Sequence, residues 1–234
     1  MIILKFILIA VFAYMVGAIP FGLIYSRWLG KIDITQHGSG NVGSTNVMRI
    51  LGLGPGVLTI VSDLAKAVLA VLFARILIGN GLQFYAGFPP YTSSISIGAE
   101  VLAAFMAMLG HNWTIYNRFH GGKGVAVYFG GYILMFPPIL IVGAVLIFPT
   151  VIITRHMSRA SILAALGVMV AMMVFTIFFK VSPIYLIYSV VAAGIIVFQH
   201  RENIIRLRRG TELKLSDDIF KKHDSIKDVD SENK

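Results

Sequence analysis

Residues 38–46 read Gly-Ser-Gly-Asn-Val-Gly-Ser-Thr-Asn, and Arg49 follows closely. Glycines let successive backbone N–H groups turn toward one point, the concave arrangement that holds phosphate oxygens, and a guanidinium clamps the same anion with a planar fork. Gly38, Ser39, Gly40, Asn41, Gly43, Ser44, Thr45 and Asn46 are therefore candidate anion ligands, with Arg49 as their charged partner. Taken alone, the stretch fits a flexible polar connection between helices equally well. It is not a P-loop, because no G-x-x-x-x-G-K-[ST] pattern occurs in the chain. A second segment, Gly121-Gly122-Lys123-Gly124, stands just before an apolar run. Free N–H groups and the positive dipole end of a starting helix would face an anion there beside Lys123.

A third group lies where the last apolar run passes into a basic stretch. His200 and Asn203 are spaced i, i+3 and share one face of a continuing helix. An imidazole beside an amide orients a hydroxyl or takes its proton, which is what acyl transfer to an alcohol demands. Arg208 and Arg209 read instead as juxtamembrane cations for anionic lipid. Ser158 and Ser161 read first as caps of a helix, with Ser161 a secondary ligand. His111 and Trp113 read as interface anchors. Asp63 and Lys66, again i, i+3, are expected to form a polar cluster with Glu100 whose main role is to neutralise charge inside the membrane. His223 and Asp228 have the H-x-x-x-x-D spacing that some glycerolipid acyltransferases use as base and orienting acid, but they stand in a polar tail with nothing rigid to position them.

The elements that must position these groups are membrane helices. The 234 residues are 57% hydrophobic and 13% charged, with mean hydropathy +0.81, a balance that excludes a soluble domain of this size. The absence of cysteine removes disulfides, thiol nucleophiles and cysteine-ligated metal. The formal charge of +9 does not mark a nucleic-acid binder, since the basic residues sit at membrane edges. Apolar runs predict an all-α chain with seven spans over residues 2–25, 55–78, 92–109, 124–136, 139–153, 161–179 and 183–198. The first run is too long for the apolar core of a signal peptide. Residues 124–154 are too long for one crossing, and Pro137-Pro138 divides them. Lys123 and Arg155 flank the pair, so a hairpin of two crossings keeps both on one side.

With seven spans, 16 of the 20 lysines and arginines fall on one face. That face is cytoplasmic, the N-terminus is outside and the C-terminus inside. Lys5, Arg75 and Lys180 remain near the other ends, where long side chains snorkel. An uncharged loop over residues 79–91 lies outside. One transmembrane domain over residues 1–212 is followed by a polar, disordered tail over 213–234.

With GSGNVGSTN, HGGKGVA and an HREN-x-x-RL-x-x-G-x-E ending on one face, the chain resembles the bacterial acyl-phosphate:glycerol-3-phosphate acyltransferase family over nearly residues 1–212. The resemblance implies transfer of a fatty acyl group from acyl phosphate to the 1-hydroxyl of sn-glycerol 3-phosphate, giving lysophosphatidic acid and phosphate at the cytoplasmic face of the bacterial cell (inner) membrane. It implies no cofactor, no metal, no coenzyme A donor and no covalent acyl-enzyme. The implied partners are the two substrates, the lipid bilayer, and enzymes that form acyl phosphate upstream and acylate lysophosphatidate downstream. Ser39, Arg49, Lys123, His200 and Asn203 match the family's active-site positions, and Ser161 matches a further substrate-binding serine. Both substrates carry phosphate, so two anion sites are needed, and Ser39 to Asn46 with Arg49 is expected to clamp the donor's. Ala67, Val127 and Gln199 depart from the glycine, threonine and arginine common in the family, and residues 112–117 lack its usual proline. The competing class is a transporter or channel for phosphorylated solutes. A metal-dependent headgroup phosphotransferase would need clustered carboxylates, and the cytoplasmic loops between spans supply only Asp33.

Overall fold

The computed structural model describes residues 1–79 and 93–215, and among these every regular element is helical. The loop expected over residues 79–91, the His223/Asp228 pair and most of the tail lie outside the described residues. The expected first span is two helices, α1 (Ile2–Gly17) and α2 (Phe21–Leu29). Pro20 causes the break, because it has no N–H to return to the preceding turn. The carbonyls released there are used: Thr114 Oγ1 donates to Ala18 at 2.5 Å and Lys66 Nζ to Ile19 at 3.1 Å.

After α3 (Ser44–Leu51), α4 (Leu53–Ile78) and α5 (Ser94–Asn112) pack with α1 as the centre of the molecule. Small residues set the spacing: a Cβ on Gly17 would lie 2.2 Å from the Ala107 carbonyl, and one on Gly110 2.2 Å from that of Tyr14. Such close backbone approach is how helices associate where lipid offers no hydrophobic driving force. Tyr14 Oη donates to the Trp113 carbonyl at 2.7 Å, so the end of α5 is pinned to α1.

α6 (Val125–Met135) and α7 (Ile139–Thr154) meet at Pro137-Pro138. A Cβ on Gly143 would lie 2.3 Å from the Phe129 ring, although along a continuous helix those residues would be about 21 Å apart. The chain reverses, as the flanking charges predict. α6 lies on α4 and α5, whereas α7 lies on α8 (Met157–Phe179). Ala67 is accommodated because it faces Gly130. α9 (Pro183–Gln199) is followed by α10 (Arg201–Arg208) at a 57° bend. Among the described residues, four stretches are long and apolar enough to cross a membrane, and the bent α9–α10 pair makes a fifth, while α6 and α7 are shorter.

The expected Asp63–Lys66–Glu100 cluster is two clusters. Lys66 Nζ lies 2.8 Å from Asp63 Oδ1 and 2.8 Å from His111 Nδ1. Glu100 pairs instead with Arg75, whose Nε donates to Oε1 at 2.8 Å and whose Nη2 donates to the Leu134 carbonyl at 2.6 Å. Arg75 therefore does not snorkel. The prediction took the cytoplasmic ends of α4 and α5 as level, but His111, in the last turn of α5, meets Lys66, more than three turns into α4. From that rung, Arg75 is nine residues along α4 and Glu100 eleven back along α5, so antiparallel helices bring them together about 15 Å away.

Candidate functional site

The basic segments meet at one end of the helices. Asn41 Nδ2 donates to the Gly121 carbonyl at 3.4 Å, Arg49 Nη2 to that of Leu213 at 3.1 Å, and Leu215 N to that of Arg155 at 2.7 Å. The hydrogen bonds around this end therefore run on to Leu215. Between these segments is a cavity. Ser39, Arg49, Lys123, Ser161, His200 and Asn203 all line it.

Three helices begin at this cavity. Ser44 and Thr45 open α3, Val125 and Ala126 open α6, and Met157 and Ser158 open α8, and all six residues line it. None of the three N-termini has a side-chain cap. Their first N–H groups and positive dipole ends are left for a ligand, and the arrangement favours anions. Gly124, at φ 81°, occupies the left-handed position from which α6 starts.

The glycine stretch works differently from the expected nest. Ser39 N donates to Asn46 Oδ1 at 2.9 Å, Gly40 N to the His37 carbonyl at 3.0 Å and Gly43 N to Asn41 Oδ1 at 2.7 Å, so these three N–H groups are satisfied within the loop. Asn46 Nδ2 is directed at the carbonyls of His37 at 2.9 Å and Asn41 at 3.0 Å, making that side chain a staple. Gly38 provides the room, since a Cβ there would fall 2.3 Å from Asn46 Oδ1. Among the donors left open in this segment are the N–H groups of Ser44 and Thr45, at the start of α3. In the second segment Gly122 N donates to the His111 carbonyl at 3.0 Å. The serines also differ from expectation: neither caps α8, and Ser158 Oγ donates to Glu212 Oε1 at 2.7 Å.

Lys123 Nζ donates to Asn203 Oδ1, and Asn203 Nδ2 donates to Glu212 Oε1 at 2.5 Å. Arg206 Nε reaches Glu212 Oε2 at 2.8 Å. Burial tends to raise the Glu212 carboxyl, but the bonds from Asn203, Ser158 and Arg206 outweigh it and hold the group below the usual range. Burial pushes the Lys123 amine down to about 8, against the attraction of Glu212. His200 is pushed down to about 4 by burial and then by Lys123, so it is neutral at pH 7. His200 Nδ1 is 2.8 Å from the Ile196 carbonyl. A carbonyl only accepts, so Nδ1 carries the proton and Nε2 the lone pair. Arg49 Nε is buried at the cavity wall without a partner among the described residues.

Three cavity residues with titratable side chains were not assigned to the site from sequence: His111, Asp63 and Glu212. Glu212 was quoted only as the last residue of a motif, and the i, i+3 spacing of Asp63 and Lys66 was taken as structural.

Residues 7–210 match the sequence model of the family described as Glycerol-3-phosphate acyltransferase. Glycerol-3-phosphate acyltransferase 3 of Dehalococcoides mccartyi is 35% identical over 218 residues, 93% of this chain and 99% of that one. The glycerol-3-phosphate acyltransferase of Carboxydothermus hydrogenoformans is 37% identical over 209 residues, 89% of this chain and 96% of that one. The fold is similar to the crystal structure of PlsY (YgiH), an integral membrane glycerol 3-phosphate acyltransferase, in its glycerol 3-phosphate form. The TM-score is 0.75 at 29% identity, covering 89% of this chain and 94% of the other.

Proposed function

The chain belongs to the glycerol-3-phosphate acyltransferase family, and on that premise we propose that it transfers a fatty acyl group from acyl phosphate to the 1-hydroxyl of sn-glycerol 3-phosphate, giving lysophosphatidate and phosphate for phospholipid synthesis. The observation that carries this reading is the convergence of three uncapped helix N-termini with Arg49 and Lys123 on one cavity that also holds a neutral His200. Two phosphates must be held close together while one carbonyl is attacked. Backbone dipoles and two cations answer the charge, and the lone pair on His200 Nε2 answers the hydroxyl.

The hydroxyl oxygen of glycerol 3-phosphate attacks the acyl carbonyl carbon, and an ester C–O bond forms. The bond from that carbon to the bridging oxygen breaks, and phosphate leaves with the electron pair. The hydroxyl proton passes to His200 Nε2 and from there to the leaving phosphate. Asn203, held by Lys123 and Glu212, orients the attacking group. The N–H donors and Lys123 stabilise charge that moves onto oxygen in a site already organised for it. Ser39, Arg49, Lys123, His200 and Asn203 form the reacting set. Ser44, Thr45, Gly124 and Ser161 bind substrate, and Gly38, Gly40, Asn41, Gly43, Asn46, Gly121 and Gly122 shape the loops around it.

The same proposal takes the chain as seven spans with the N-terminus outside and the cavity on the cytoplasmic face of the cell membrane. The location of 16 of the 20 lysines and arginines on one side supports it. The cysteine-free sequence allows single-cysteine reporters at Arg118 and Lys180, which should react from opposite faces; labelling from one face refutes this topology. Enzymes that make acyl phosphate and acylate lysophosphatidate would stand on either side of the reaction.

Purified protein given palmitoyl phosphate and glycerol 3-phosphate should release lysophosphatidate and phosphate in equal amounts. Product only from palmitoyl-coenzyme A would refute the donor, and tight binding of glycerol 3-phosphate without any product would favour a transporter.

A further inference from the structure

The buried group beside the cavity contains more chemistry than charge neutralisation needs. His111 lines the cavity at the end of α5, and its Nδ1 lies 2.8 Å from Lys66 Nζ. Lys66 is 2% exposed and has two further neighbours, Asp63 Oδ1 at 2.8 Å and the Ile19 carbonyl at 3.1 Å. An ammonium has three protons and no lone pair. Three acceptors within 3.1 Å use all three, so His111 Nδ1 must accept. A neutral Lys66 would leave Asp63 as a buried carboxylate with no balancing charge, an arrangement far less stable than the ion pair. Asp63 Oδ1 is 3.5 Å from Nδ1, too far to compete with Lys66 for that nitrogen. The ring is therefore neutral, with its proton on Nε2.

His111 Nε2 has no hydrogen-bond partner among the described residues. It lies against Gly122, where a Cβ would come within 2.1 Å of it, so glycine at that position leaves space for the ring edge. Gly122 N donates to the His111 carbonyl at 3.0 Å, which fixes the loop that leads to Lys123 relative to the ring. The cavity thus has two histidines of opposite character. His200 presents a lone pair, because Nδ1–H is bound to a carbonyl, and His111 presents an N–H, because Nδ1 is bound to an ammonium.

We propose that His111 is a further catalytic residue, whose Nε2–H donates to an anionic oxygen of the acyl phosphate or of its tetrahedral intermediate, with Lys66 and Asp63 as positioning residues that set its tautomer. This rests on the acyl-transfer reading above. His111 transfers no proton: it adds a neutral donor to the cavity that holds the acceptor His200, so one histidine serves the electrophile and the other the nucleophile. Gly122 then matters for its lack of a side chain more than for its own N–H.

The test uses the full-length protein in detergent with 15N-labelled histidine. The His111 signal, assigned by its loss in His111→Gln, should show a protonated Nε2 and an unprotonated Nδ1, and Nε2 should shift on titration with inorganic phosphate. A protonated Nδ1, an imidazolium, or no response to phosphate would overturn the proposal. Kinetics provide the second arm. His111→Gln retains an amide N–H near the Nε2 position and an oxygen for Lys66, whereas His111→Phe keeps a ring with no donor. Turnover should fall about 10²-fold in His111→Phe and be largely restored in His111→Gln, with KM for glycerol 3-phosphate little changed in both. Equal activity of the two variants would refute the proposal, and should His111→Phe fail to fold, the tautomer and phosphate response still decide. If wild-type protein fails to use acyl phosphate while the tautomer and phosphate shift are as expected, the donor assignment fails and the phosphate contact stands.

Discussion

Replacing Lys123 with methionine should separate function from stability. The ammonium is buried, it donates to Asn203, and its pKa is lowered from 10.5 to about 8. At neutral pH both folded and unfolded chains hold this proton, but the folded chain holds it less tightly. The fall corresponds to roughly 3 kcal/mol of folding free energy used to keep the charge in place. Methionine fills similar space without that cost, and Asn203 keeps its bond to Glu212. Thermal unfolding in detergent should therefore occur at the same temperature as wild type or higher. The substrate phosphate loses a charge-assisted donor in a site shielded from water, worth about 3–4 kcal/mol in the transition state, so kcat/KM should fall about 10²–10³-fold. Release of phosphate from palmitoyl phosphate measures the loss. Wild-type turnover, or destabilisation by several degrees, would refute the reasoning.

Other consequences follow from the same network. Turnover should decline on the alkaline side near pH 8 as Lys123 loses its proton, and the limb should move upward for whatever activity remains in Lys123→Arg. Stability should change in the opposite sense: between about pH 8 and 10.5 the unfolded chain binds the Lys123 proton that the folded chain lacks, so this group makes folding more favourable as pH rises. Glu212→Gln should cost about 2–3 kcal/mol, measured by thermal unfolding, because Asn203, Ser158 and Arg206 all donate to that carboxylate. Glu212 is held below its ordinary pKa, so its contribution is present at neutral pH and lost as pH falls through the folded value; the glutamine variant should lack that acid-sensitive component. Arg75→Leu strands Glu100 and should cost about 3–5 kcal/mol, whereas the Arg75→Leu, Glu100→Leu pair should recover most of it.

Much of the candidate site was legible because its residues carry local signals. Arg49, Lys123, His200 and Asn203 stand out by type beside glycines or helix ends, and charge placement put them on one face before any contact was known. Pro137-Pro138 with its two basic flanks gave the hairpin by the same logic. What was missed depends on how far one helix projects past another. Counting residues from an assumed common edge put Glu100 level with Lys66, but the ends of α4 and α5 are offset, and His111 occupies that level instead. The roles of the glycines were also hidden. Sequence shows that Gly38 and Gly122 lack side chains, but only packing shows that the space goes to Asn46 and His111. Glu212 was read only as the last residue of a motif before the polar tail, and its partners Ser158 and Asn203 lie on α8 and α10.

The central claim, acyl transfer by attack at the carbonyl in a cavity built for two phosphates, is tested most directly with palmitoyl phosphate carrying 18O at the bridging oxygen. Incubation with glycerol 3-phosphate should place the label in released phosphate and none in the lysophosphatidate ester. Label retained on the palmitoyl product, or product formed only when coenzyme A thioester replaces acyl phosphate, would contradict it.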